Sequence, residues 1–185
     1  MTVDEARRLM EEWTQSPALR VHMEAVAACM GAYADKLASD QRDRWVVAGL
    51  LHDMDYERHP SQEAGHPFVA VEHLRGLGVD EEILTAILAH AEYSGTPRLT
   101  AMAKALFAVD ELCGLITATA LVQPGKTLAE VTADSVLRKM KKKEFARSVN
   151  REEIAQGAEE LGVPLEEHVA FTLAALQAQA GALGL

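Results

Sequence analysis

Apolar residues recur at three- and four-residue steps along almost the whole chain, a period that predicts amphipathic helices and no strands. Ser16 before Pro17 predicts a helix start, and Val26, Cys29, Tyr33 and Leu37 follow on one face. Asp40 is positioned to cap a second helix running through Trp45 and Val46 to Leu51. The stretch MDYERHPSQEAG after Asp53 reads as a loop, and Pro67 then opens a short helix that ends near Gly76 and Gly78. Asp80, with Glu81 and Glu82 in the first turn, predicts a helix reaching His90, closed by a loop through Ser94 and Gly95. Pro97 is expected to begin a long helix continuing to Val122, stopped by Pro124 and Gly125. Beyond it come a short helix after Thr127, the basic stretch RKMKKK at 138–143, a capping-box-like start at Asn150 with Glu153, and a last helix from Pro164. The alanine-rich end is expected to fray after Gly181. The expectation is an all-α fold, a compact helical bundle forming one domain over 1–185, with a core region at 16–122 and a helical extension at 126–185.

Three polar residues break the apolar stripes. His22 is in register with Val26, Cys29, Tyr33 and Leu37, which turns its imidazole inward. His90 follows Ile83 by seven residues, Ala86 by four and Ile87 by three. Asp110 follows Leu106 by four and Phe107 by three and precedes Cys113 by three, so a carboxylate occupies a core-facing position. An ionised carboxylate buried without a partner costs several kcal/mol or is neutralised, so a cation is the natural expectation there. The apolar run AGLL leads directly into adjacent His52 and Asp53 at a helix end. Imidazole and carboxylate together suit zinc, iron, manganese and similar ions.

Each of these residues has an ordinary structural reading. A lone buried histidine is more often hydrogen-bonded in a core, Asp110 could pair with Lys104 or Arg98, and an isolated His-Asp dipeptide carries almost no information. Four separate segments each offering a metal-type residue from an apolar face make the joint case stronger.

Composition narrows the function classes. The chain has 185 residues, 49% hydrophobic and 25% charged, which suits a globular protein with a real core rather than a disordered one. With 18 basic and 28 acidic residues the net charge is −10, which argues against an extended nucleic-acid partner and leaves a small phosphorylated ligand open. Two cysteines, Cys29 and Cys113, fall on apolar faces and are expected as buried thiols in a reducing compartment. The amphipathic start MTVDEARRLMEEW and the lack of any run near ~20 apolar residues predict no membrane span and a cytoplasmic location.

The order His22, His52-Asp53, Asp110, with the dipeptide in AGLLHDMD, resembles the signature of the HD phosphohydrolase superfamily. The likeness extends through GHPFVAVEHLRGLG, AILAHAEY and KALFAVDELCGLI, covering about residues 16 to 122, and RKMKKKEFARSVNREEI is similar to the tail of a bacterial HDIG-like subgroup. The resemblance implies a helical bundle in which His22, His52, Asp53 and Asp110 hold one metal. In dinuclear members two further histidines join and the aspartate bridges; His90 matches one, and His66, placed before Pro67 at a helix start, is the choice for the other over the mid-loop His59. His73 and His168 are left outside the set. The implied cofactor is one or two divalent ions, among Fe, Mn, Zn, Co, Ni and Mg, and the implied activity is hydrolysis of a small phosphorylated or nucleotide-like substrate by metal-activated water. Asp53 is the expected catalytic residue, and Lys104, with Arg20 and the basic stretch Lys139 to Lys143 with Arg147 as further candidates, would neutralise phosphoryl charge. A solvated helix face is the competing reading of that stretch. The competing functional readings are a mixed-valent di-iron oxygenase and a non-catalytic metal or nucleotide sensor. A guanosine tetraphosphate hydrolase fits less well, because Met54-Asp55-Tyr56-Glu57 stands where that group carries an acidic pair. A homo-oligomer is compatible with all of them.

Overall fold

A computed structural model describes residues 1–185. It contains ten α-helices and no strand: α1 (Val3–Trp13), α2 (Pro17–Leu37), α3 (Arg42–Leu51), α4 (Phe68–Gly76), α5 (Glu81–His90), α6 (Ala101–Leu121), α7 (Ala133–Met140), α8 (Arg151–Leu161), α9 (Leu165–Ala178) and α10 (Ala180–Leu183). The all-α expectation holds. The chain forms two compact units, Met1–Phe107 and Ala108–Leu185, and the boundary falls inside α6.

In the first unit α3 packs against α1, α2 and α5, and α4 against α5. Every residue of α3 from Trp45 to Leu51 is buried, the behaviour expected of a helix that is apolar all round rather than on one stripe. Gly49 makes the crossing with α2 possible. A Cβ at Gly49 would lie 2.6 Å from the Ala27 Cα and 2.8 Å from its backbone nitrogen, so only glycine lets the backbones meet at this distance.

Several helix ends differ from the sequence reading. Ser16 caps α2 through its side chain, as expected, accepting from the Leu19 amide. Leu37, expected on the inward stripe, is exposed because it is the last residue of α2. Asp40 does not cap α3: residues Ser39–Gln41 form a 3-10 turn and α3 starts at Arg42 without a side-chain cap. The long helix begins at Ala101 rather than Pro97, where Thr100 Oγ1 accepts from the Ala103 amide. The intervening backbone is held by Arg98, whose guanidinium donates to the Ala89 carbonyl and Glu92 and lies 3.6 Å from the Phe107 ring centroid. Cys29 and Cys113 are buried and belong to no disulfide. No helix is long and apolar enough to cross a membrane.

In the second unit α9 packs against α7 and α8, and Gly157 of α8 approaches Ala108 so closely that an added Cβ would lie 2.5 Å from the Ala108 Cα. After the 3-10 turn Leu128–Glu130, Thr132 caps α7 through a reciprocal box with Ser135. The basic stretch is not a single helical face. Helix α7 ends at Met140, Lys141 to Lys143 are exposed in the following turn, and Lys139 lies 4.2 Å from the centroid of the Phe145 ring. The loop then wraps the Arg151 guanidinium, which donates to the carbonyls of Phe145, Ala146 and Val149. The C-terminus, expected to fray after Gly181, continues as α10 with Leu183 buried.

His168 of α9 is buried and its Nε2–H donates to the Ala108 carbonyl at 2.8 Å. Burial pushes this imidazole below its ordinary range, the bond to Ala108 acting in the opposite sense. Below the ordinary histidine value of about 6.5 the unfolded chain takes up a proton that the native state resists, so stability falls as the pH falls through that region. We expect the urea midpoint to be lower at pH 5.5 than at 7.5, this group removing at most about 1.4 kcal/mol of stability per pH unit. The His168→Gln variant, which keeps an N–H donor, should show a flatter profile.

Candidate metal centre

The centre is built where α3 ends. His52 is the C-cap of that helix and Asp53 follows in a turn. The next residues are anchored to the α1–α2 connection: Thr14 Oγ1 donates to the Met54 carbonyl, and Glu57 accepts from the Gln15 and Ser16 amides, which hold its carboxyl below the usual range. Beyond them the chain loops outward and closes on itself. The His66 amide donates to the His59 carbonyl at 2.7 Å and the Gly65 amide to Ser61 at 2.9 Å. A Cβ at Gly65 would lie 2.2 Å from the His59 oxygen, so glycine is required for the return that delivers His66 inward.

Four imidazoles surround the Asp53 carboxylate, two on each oxygen. His22 and His52 present Nε2 to Oδ2 at 3.9 and 3.7 Å. His66 and His90 present Nε2 to Oδ1 at 3.3 and 3.6 Å. Side-chain exposure is only 4% for His66 and for His90, 14% for Asp53 and 22% for His22, while His52 is fully buried. His22 is thus less enclosed than its helical register predicts. Both triads, His22 with His52 and Asp53, and Asp53 with His66 and His90, bring their donor atoms within 4.8 Å of one another.

Three of the rings are fixed from behind. His52 Nδ1 donates to the Gly49 carbonyl at 2.8 Å, His90 Nδ1 to the Ile87 carbonyl, and His66 Nδ1 to Asp55 Oδ1 at 2.8 Å. A carbonyl or a carboxylate oxygen accepts, so each of these rings donates from Nδ1 and turns its Nε2 toward Asp53. His66 and His90 then bring two Nε2 atoms to 3.2 Å of each other. A cation shared by the two nitrogens beside the carboxylate oxygen would suit that arrangement. The spacing also fits a shared cation, because donors about 2.1 Å from a tetrahedral ion are about 3.4 Å from one another.

Asp55 is a candidate site residue that the helical period does not single out. Its side chain is fully buried and accepts from His66 Nδ1 through one oxygen and from the Ala70 amide, at 2.7 Å, through the other. This is the outer carboxylate that commonly orients a metal-binding histidine. Asparagine in its place offers one acceptor and one donor, so one of the two N–H groups would face an NH2. We expect Asp55→Asn to weaken metal affinity about 10–100-fold, read as metal bound per chain against a competing chelator. Tyr93 was missed as well: its hydroxyl donates to the His66 carbonyl at 3.1 Å. Burial, reinforced by the charges of Asp53, Asp55 and Tyr56, pushes that phenol up to about 12, so it remains a donor.

Of the other residues weighed in the sequence, His59, His73 and Arg20 make their contacts away from the imidazole cluster. His59 is exposed and contributes its backbone carbonyl, while its ring lies out on the loop. His73 packs against Trp13 at 4.6 Å between centroids. Arg20, a candidate for phosphoryl charge, instead donates to the Thr14 and Glu11 carbonyls at the end of α1, which lacks a basic residue of its own there. Lys104 is half-buried on α6. Asp110 is half-buried on the same helix within the second unit, and the six-residue step between them turns the helix by about 120°.

An all-helical chain with imidazoles converging on the carboxylate of a His-Asp dipeptide defines a class of metal-dependent helical proteins. The HD domain family model matches residues 20–115, and the chain belongs to that family. Its superfamily consists mostly of metal-dependent phosphohydrolases. No curated protein and no solved structure matches the chain significantly.

Proposed function

We propose that this protein is a metal-dependent phosphohydrolase acting on a small phosphorylated substrate at a centre organised by Asp53. The observation that carries this reading is the two-sided environment of Asp53, with the His22–His52 pair on one oxygen and the His66–His90 pair on the other. The donor set fits one or two divalent ions of the iron, manganese, zinc, cobalt or nickel type, with magnesium less suited to an imidazole-rich set. Asp110 joins the set on the strength of the family resemblance.

A divalent ion in such a centre supplies Lewis acidity toward the phosphoryl group and makes water a stronger acid. The chain's own residues do the rest. Asp53, shared by the two triads, fixes their spacing and is placed to accept a proton from an attacking water. His52, His66 and His90 are held by Gly49, Asp55 and Ile87 with their Nε2 atoms directed inward, so little reorganisation accompanies the reaction. Lys104 is assigned to neutralising phosphoryl oxygens in the bound substrate.

The test is phosphate release from a panel of nucleotides and small phosphoesters with added manganese, cobalt, iron or magnesium, alongside elemental analysis of the purified protein. Turnover that follows metal loading is expected. Inactivity with every metal and every substrate would remove the hydrolase reading. The position of Asp53 between two imidazole pairs would also suit a di-iron pair that activates oxygen, and oxygen consumption by iron-loaded protein would favour that second reading.

A further inference from the structure

We infer that Tyr56 and Tyr93 are the specificity-determining residues of this site, holding a planar aromatic group attached to the phosphoryl end of the substrate by stacking. The inference rests on the hydrolase reading for the phosphoryl half of that substrate. The chain has few aromatic residues, two Trp, three Tyr and four Phe. Of these nine only Tyr56 and Tyr93 are exposed, at 49% and 43%, and the other seven are buried or half-buried.

The two exposed rings are not scattered. Tyr56 lies in the turn after the His-Asp dipeptide and Tyr93 in the 3-10 turn after α5, yet both contact His66. The Tyr56 ring meets the His66 ring edge-on at 5.2 Å between centroids, and the Tyr93 hydroxyl donates to the His66 carbonyl. Two solvent-facing rings are therefore tied to His66, whose Nε2 lies 3.3 Å from Asp53 Oδ1. An exposed aromatic face beside a polar centre offers stacking to a flat ring and little to a puckered one of equal size.

Phenylphosphonate and cyclohexylphosphonate isolate that difference. They carry the same anionic head on a carbon–phosphorus bond that is not hydrolysed, and differ in the aromaticity of the ring. With manganese-loaded protein, calorimetric titration should show phenylphosphonate binding about fivefold more tightly than cyclohexylphosphonate. The ratio should fall below about twofold in Tyr56→Leu and in Tyr93→Leu, and persist in Tyr56→Phe and Tyr93→Phe, which keep the rings. Equal affinity of the two probes for the unaltered protein would overturn the inference, as would a preference that survives both leucine variants. Inorganic phosphate is the third probe. Binding of phosphate without aromatic preference removes the stacking role and leaves the hydrolase reading standing, whereas loss of phosphate and both phosphonates removes the two together.

Discussion

Replacing Asp53 with asparagine should abolish the activity of the protein and empty its metal centre. Both Asp53 oxygens face imidazole pairs, so the change strikes both triads at once. Asparagine is nearly the same size but carries no charge, and one of its two terminal atoms is an NH2, which cannot ligate a cation. On the hydrolase reading several kcal/mol of transition-state stabilisation would depend on the bound cation, so phosphate release should drop by about three orders of magnitude or more. Metal bound per chain, measured on the same sample, should fall with it, while helical circular dichroism stays near that of the unaltered protein.

The second large effect is on stability. Gly49→Ala places a methyl against the Ala27 backbone at 2.6 Å, a contact that no rotamer relieves. Helices α2 and α3 must part, and forced separation in a close-packed core costs about 1–3 kcal/mol or more. The urea midpoint should fall accordingly. Because the Gly49 carbonyl also receives the His52 Nδ1–H, metal affinity should decline in the same variant. Val46→Ala on α3, where a side chain is trimmed and no backbone moves, should destabilise without affecting the metal.

These two residues illustrate what was legible in the sequence. The 3.6-residue period located nearly every helix, because burial of an apolar face dominates helix placement. It also singled out His90, which is buried as its register demands. The same rule failed at chain positions where period has no meaning. Asp55 pairs with His66 across eleven residues of turn and loop, and no spacing rule connects a buried carboxylate with a partner reached through irregular backbone. Its one visible signal was position, two residues after the dipeptide that leaves a buried helix. Helix α6 starts later than Pro97 because Arg98 is drawn into contacts with Ala89, Glu92 and Phe107, and local proline preference yields to that tertiary arrangement. The inward choice of His66 over His59 came from the family resemblance and the helix start at Pro67; the closure of the loop at Gly65 supplies the physical reason why the later histidine can reach the centre.

That closure has a practical meaning for anyone modifying the protein. The backbone from His59 to His66 is pinned at its ends by short amide bonds, while residues 56–64 are all exposed. The tip around Pro60 to Glu63 behaves as a spacer whose own side chains face solvent. Lengthening such a tip is inexpensive, with each doubling of loop length adding only about 0.6 kcal/mol of closure entropy. A dye or short tag inserted between Gln62 and Glu63 would therefore be carried in solvent while the closure that delivers His66 inward stays intact.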